Sequence, residues 1–413
     1  MLNDTLIAAR EASRRLNLTE HADTDKLLER LAENTVRRTG EILTANKHDL
    51  ERMERNNPKY DRLMLNADRI EAIADGIRKV ASLPSPLGVT LDQWTRPNGM
   101  RISKVSVPFG VIGVIYEARP NVTLDVFSLC VKSGSAVVLK GGSDAQHSNE
   151  AIVRIIADTL AECGLPAETV TLLPPSHQAT AEMLNATGLI DLIIPRGGRA
   201  LIDFVRNNSR VPVIETGAGV CSCYFHSAGD IAKGRNIILN AKTRRVSVCN
   251  ALDALIIDRA RLADLPELVT PLADKNVTIY ADPEAYAALR GSYPLLEHAT
   301  DDDRGREYMD YKMAVVTVPG IDEALAYIAR YSSRHSESIV SEDADACRRF
   351  MHEVDAACVY TNLPTSFTDG GQFGFGAEIG ISTQKLHARG PMGLHEITTY
   401  KYLIEGNGQV RNS

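Results

Sequence analysis

VIGVIYEA (111–118), SAVVLK (135–140), TVTLLP (169–174), LIDLIIP (189–195) and VPVIE (211–215) follow one another along the chain. Helix-like stretches such as SNEAIVRIIADTLAEC (148–163) lie between them. Short apolar runs alternating with helical periods are the mark of a parallel sheet buried on both faces by its crossover helices. The expected fold class is therefore α/β. A second series, LDALIID (252–258), NVTIYA (276–281), MAVVTV (313–318), ESIV (337–340) and AACVYT (356–361), predicts a second α/β domain, with a boundary near 215–225. Two domains also suit 413 residues, because one hydrophobic core rarely grows past about 250–300 residues.

Outside these series the pattern differs. LLERLAENTVRRTGEIL (27–43) carries apolar residues at helical spacing with charges on the other face, and the region before Pro84 reads as helical. After the break at Pro84, Pro86 and Pro97, RPNGMRISKVSV (96–107) reads as a turn and strand, a projecting hairpin. YKYLIEGNGQV (400–410) reads as a lone strand that needs a partner elsewhere in the fold or in another subunit.

Composition narrows the function classes. Hydrophobic residues make up 44% and charged residues 24%, and the formal net charge is -7. The absence of a basic stripe argues against a nucleic-acid partner. No segment has the roughly 18–20 apolar residues of a membrane span, and the first residues lack the pattern of a secretory signal. The seven cysteines (Cys130, Cys163, Cys221, Cys223, Cys249, Cys347, Cys358) are odd in number and irregularly spaced, which fits reduced thiols of a cytoplasmic protein. The ten histidines form no zinc-type spacing, so no metal site is expected.

Chemistry-bearing residues gather at the ends of the expected strands. Asn121 follows VIGVIYEA, where an amide can donate to an oxyanion; a turn or helix cap explains an Asn after Pro equally. Lys140 with Gly141 and Gly142, and Arg196 with Gly197 and Gly198, repeat one theme of strand, basic residue, two glycines and helix. Such a turn lets a phosphate approach the backbone, and it is also a common connection. Glu215 ends VPVIE and can serve as a general base or as a surface carboxylate. Cys249 stands in NAKTRRVSVCNALD behind Arg244 and Arg245. Nearby positive charge favours a thiolate nucleophile, while a small buried hydrophobe is the ordinary fate of a free cysteine.

The order of these features resembles the aldehyde dehydrogenase superfamily and, more closely, its γ-glutamyl phosphate reductase family, also known as glutamate-5-semialdehyde dehydrogenases. PFGVIGVIYEARPNVT (108–123), VLKGGSDA (138–145), RRVSVCNALD (244–253), RYSSRHSESIV (330–340) and FTDGGQFGFGAEIGISTQKLHARGPMGLHEITTYKY (367–402) carry the resemblance, which runs from about residue 5 to the end. It implies Cys249 as nucleophile, Asn121 as oxyanion amide, Lys140 on the adenosine ribose, Gly197 and Gly198 under the pyrophosphate, and Glu307 on the nicotinamide ribose. Glu215 matches the water-activating base of hydrolytic relatives, an activity that a reductase does not want. Ser143 stands where NAD-preferring relatives often have an acid, which favours NADPH over NADH. Arg119, Arg244 and Arg245 are candidates for the acidic substrate, L-glutamyl 5-phosphate. The pattern departs from the family at Tyr327, Ser332 and Ser333. The resemblance further implies a doubly wound cofactor domain over 1–217 with the hairpin 88–105 in an oligomerisation flap, a smaller α/β catalytic domain over 218–372, and a segment 373–413 that returns to the first domain and supplies an oligomerisation strand. A homo-oligomer and a transient glutamate 5-kinase partner complete the expectation. A hydrolytic dehydrogenase, a cysteine acyltransferase without nicotinamide, and an inactive interaction protein are the alternatives.

Overall fold

The computed structural model describes residues 2–55, 57 and 59–411. Its chain divides into two compact units. The first gathers Met1–Thr216, Gly374–Gly380 and Met392–Ser413; the second gathers Gly217–Phe373 and Ile381–Pro391.

The first unit opens with helices α1 (Leu2–Leu16), α2 (His21–Arg37), α3 (Thr39–Glu51), α4 (Tyr60–Leu63) and α5 (Ala67–Ser82). Leu27, Leu28 and Leu31 line the buried side of α2, while Asp23 and Lys26 pair on its exposed side. The amphipathic stretch at 27–43 is two helices, because the chain turns at Arg38, whose N–H still bonds Asn34 O at 2.9 Å. Strands β1 (Thr90–Thr95) and β2 (Arg101–Pro108) form the expected hairpin. Strands β3 (Val111–Tyr116), β4 (Ala136–Lys140), β5 (Val170–Leu172) and β6 (Leu192–Arg196) make a parallel sheet in the order β5-β4-β3-β6. Their crossovers are α6 (Asn121–Lys132), α7 (Gln146–Glu162) and α8 (His177–Leu184), and α9 (Arg199–Asn208) follows β6. All six residues of β3 are buried, as a strand covered on both faces requires. The order reverses at β3, the kind of switch point where open α/β sheets bind ligands at the carboxyl ends of their strands.

VPVIE does not become a fifth strand of this sheet. It makes one isolated bridge, Ile193 to Val213. Pro212 has no N–H to continue a ladder beside Ile193, and Pro195 breaks the facing edge in the same way.

The second unit contains β7 (Cys221–Phe225), β8 (Leu252–Asp258), β9 (Thr278–Ala281), β10 (Leu296–His298), β11 (Lys312–Val318), β12 (Ser336–Val340) and β13 (Cys358–Thr361). They form one parallel sheet in the order β10-β9-β11-β8-β7-β12-β13. Helices α10 (Ile231–Thr243), α11 (Leu265–Ala273), α12 (Pro283–Leu289), α13 (Ile321–Tyr331) and α14 (Ala344–Glu353) connect them, and a short antiparallel pair, β14 (Ile381–Ser382) with β15 (Gly390–Pro391), joins this unit from the C-terminal region. Phe225, Ile238, Leu255, Leu268 and Ile279 belong to a core on one side of the sheet; Tyr224, Ile256, Ile339 and Phe350 belong to another. Among the described residues no helix is long and apolar enough to cross a membrane.

The lone C-terminal strand finds its partner within the first unit. β16 (Thr398–Glu405) pairs antiparallel with β2, from Thr398 beside Pro108 to Glu405 beside Arg101, giving the order β1-β2-β16. Trp94, Tyr400, Tyr402, Leu403 and Ile404 are exposed on this three-stranded sheet.

Candidate active site

In the second unit the notable side chains lie at the amino ends of the strands. Cys249, half-buried, occupies the turn between α10 and β8. Gly219 precedes β7 and backs directly onto it: a Cβ there would overlap the Cys249 carbonyl oxygen, so the close approach requires glycine. The Cys221 thiol donates to that carbonyl at 3.2 Å. The Gly219 N–H in turn donates to Glu307 Oε1 at 2.9 Å. The fold therefore brings two of the sequence candidates, Cys249 and Glu307, to one glycine. The loop carrying Glu307 is anchored by Asp253, which accepts the Tyr308 N–H at 3.0 Å. Asp253 lies 3.9 Å from Lys242, and both are buried; burial pushes the Asp253 carboxyl up and the Lys242 ammonium down. Arg244 and Arg245 present exposed side chains on the same turn as the cysteine.

The residue that sequence reasoning misses is His335. Its Nε2 sits 3.2 Å from Cys249 Sγ, and its ring is fully buried before β12. Burial lowers its pKa to about 4, so the ring is neutral at ordinary pH. RHSE stands in the chain, yet 86 residues separate His335 from Cys249. Only the sheet order, with β7 flanked by β8 and β12, places them together. Next to the thiol, Asn250 donates to the carbonyls of Ser366 and Thr368 at 3.3 and 2.9 Å, which fixes the turn.

In the first unit the candidates cluster at the carboxyl ends of the neighbouring strands β4, β3 and β6. After β3, Ala118 adopts φ +35°, a costly conformation for a residue with a Cβ and one that tends to mark functional turns. Half-buried Arg119 and Asn121 follow. Asn121 begins α6, and its Nδ2 donates to Asp125 Oδ2 at 2.9 Å. Burial raises the Asp125 carboxyl to about 6, opposed by the Asn121 bond and by Arg196.

Beyond β4, Lys140 is half-buried, and that burial lowers its ammonium pKa. Gly141 and Gly142 line a cavity of about 260 Å³ with Gln146, Asn149, Glu150 and Leu172–Pro175. A Cβ on Gly141 would run into the Asn149 amide. Ser143 is exposed at the start of the short turn that follows. Glu150 accepts from Gln146 Nε2 at 2.9 Å. After β6, half-buried Arg196 leads to exposed Gly197 and Gly198, which open α9; the Gly198 N–H reaches Glu117 Oε2 at 3.4 Å. Glu215 pairs with Arg206 at 3.3 Å.

A parallel sheet with glycine-rich strand ends in one unit, and a second parallel sheet with a thiol at its amino ends in the other, make a fold of the aldehyde dehydrogenase type. An acetylating aldehyde dehydrogenase from Geobacillus thermoglucosidasius shares this fold at 17% identity, with a TM-score of 0.70 over 99% of this chain and 97% of that one. No protein-family model matches the chain. A γ-glutamyl phosphate reductase of Parabacteroides distasonis is 60% identical over 412 residues, covering 99% of each. The crystal structure of γ-glutamyl phosphate reductase from Thermotoga maritima superposes with a TM-score of 0.95 at 40% identity, again over 99% of each chain. The chain belongs to the γ-glutamyl phosphate reductase family.

Proposed function

We propose that the protein reduces L-glutamyl 5-phosphate to L-glutamate 5-semialdehyde and phosphate with NADPH, through a thioester on Cys249, as the second step of proline synthesis from glutamate. The observation that carries this reading is full-length similarity, 60% over 412 residues, to a protein named for that reaction. The half-buried thiol at the amino end of β8 supports it.

Cys249 Sγ attacks the acyl carbon. The Asn121 amide and the Cys249 N–H are the donors assigned to the oxyanion. Phosphate leaves, and the thioester remains. A bound nicotinamide supplies the hydride. Collapse of the thiohemiacetal then releases the aldehyde and returns Cys249.

The cavity beside Gly141 and Gly142 fits the cofactor's adenosine end. Gly141 there has no room for a side chain, Lys140 immediately precedes it in the chain, and Ser143 presents no carboxylate to a 2′-phosphate. Gly197 and Gly198 with Arg196 suit the pyrophosphate at the start of α9, and Glu307 suits the nicotinamide ribose. Arg119, Arg244 and Arg245 are assigned to the anionic substrate, and Glu215 to an auxiliary role. In this reading residues 1–217 form the cofactor domain and 218–372 the catalytic domain. The tail expected to return whole to the first unit does so at 374–380 and 392–413, while 381–391 joins the second; the β1-β2-β16 sheet joins subunits of a homo-oligomer in the cytoplasm. A glutamate 5-kinase, as a transient partner, supplies the labile acyl phosphate. The test is NADPH oxidation on acyl phosphate generated in place by such a kinase with ATP and glutamate. Consumption that requires all components supports the proposal; none with a folded, NADPH-binding protein refutes it.

A further inference from the structure

We infer that His335 is the proton acceptor and donor for the Cys249 thiol, served by a hydroxyl relay through Ser336, Thr368 and Tyr360. The inference rests on the thioester reading above. The geometry is continuous. His335 Nε2 lies 3.2 Å from Cys249 Sγ, and Nδ1 lies 2.8 Å from Ser336 Oγ. Ser336 Oγ is 2.5 Å from Thr368 Oγ1, which is 2.8 Å from Tyr360 Oη. The Cys221 thiol lies 3.5 Å from Nδ1.

Two features separate this histidine from an ordinary core histidine. Its Nε2 faces the one thiol that the chemistry requires, although a thiol is a weak hydrogen-bond partner and repays little of the cost of burying an imidazole. Each hydroxyl in the chain behind it can donate or accept, so a proton moving at Nε2 can be answered at Nδ1 without moving a heavy atom.

As the Sγ–carbon bond forms, the thiol proton passes to Nε2 and the carbon–oxygen bond to phosphate breaks; the departing phosphate takes that proton. After hydride addition the carbon–sulfur bond breaks, and the Cys249 thiolate is reprotonated from the ring, which regains its proton along the hydroxyls from solvent. Burial keeps the ring neutral at rest, so the imidazolium is transient and no standing ion pair forms.

The experiment follows phosphate-dependent oxidation of glutamate 5-semialdehyde by NADP⁺ in His335→Gln, His335→Ala and Cys249→Ala, together with iodoacetamide alkylation of Cys249 across pH. Glutamine keeps a hydrogen-bonding group near the thiol but cannot carry a proton. His335→Gln is expected to lower kcat about 10²–10⁴-fold, the usual weight of general acid–base catalysis. KM should change little, and added imidazole should restore part of the His335→Ala rate. Alkylation should be slowed near neutral pH, with rates converging where the thiol ionises unaided. Wild-type kcat in a folded His335→Gln, with Cys249→Ala inactive, overturns the relay and leaves the thioester standing. Activity in Cys249→Ala overturns the thioester reading and this inference with it. If neither His335 variant folds, Ser336→Ala decides: a lowered kcat at unchanged melting temperature supports the relay, and a wild-type kcat refutes it.

Discussion

Asn121 donates one of its two amide protons to Asp125, one helical turn further along α6, at 2.9 Å. That bond orients the amide, whose second N–H is the one the proposed mechanism gives to the oxyanion. Asn121→Ala is expected to lower kcat by roughly 10²–10³, the loss typical of one oxyanion donor. Steady-state kinetics check it: a change confined to KM would mean that the amide binds ground and transition states alike.

Glu337 is fully buried in β12, where it accepts bonds from Ser222 and Ser332. Burial, reinforced by Asp253, raises its pKa from 4.5 to about 8. A raised carboxyl binds its proton more tightly in the folded state. Its contribution is therefore complete below the unfolded value and is lost as pH rises through about 8. The melting temperature of the wild type should fall relative to Glu337→Gln between pH 5 and 9. A constant difference would show that Glu337 stays ionised in the fold.

Ser143→Glu places a carboxylate beside the cavity at Gly141 and Gly142. The ratio of kcat/KM for NADPH to that for NADH should drop by at least about tenfold, since one unit of charge repulsion at close range is worth more than 1.4 kcal/mol. An unchanged ratio would locate recognition of the 2′-phosphate elsewhere.

Glu215 is engaged by Arg206, and in the proposed reaction phosphate, not water, would be the deacylating nucleophile in the reverse direction. Glu215→Gln should retain phosphate-dependent activity within about tenfold of the wild type, well short of the loss for an essential general base. Collapse of that activity at every pH would make Glu215 part of the main chemistry.

The legible part of this molecule is its sheets. VIGVIYEA and LDALIID are apolar without interruption because both faces of their strands are covered, and such runs read directly from the chain. CSCYF, which becomes β7, lacks the β-branched residues that mark a strand and takes its place from its neighbours β8 and β12. VPVIE has the composition of a strand and is stopped by the missing N–H groups of Pro212 and, on the facing edge, Pro195. The site divides in the same way. Lys140 and Asn121 sit at carboxyl ends of strands, where a general rule directs attention. Cys249 and His335 sit at amino ends, for which no such rule exists, and Cys249 acquires meaning from sequence only through the resemblance. His335 is brought to the thiol by strand order alone.

The proposed chemistry turns on Cys249 carrying the acyl group and on phosphate releasing it. The most direct measurement is NADPH formation from glutamate 5-semialdehyde and NADP⁺, with and without inorganic phosphate, in the wild type and Cys249→Ala. The rate is expected to depend on phosphate in the wild type and to vanish in a Cys249→Ala protein that still folds and binds NADPH. A wild-type rate indifferent to phosphate, or a Cys249→Ala protein that turns over as fast as the parent, would contradict it.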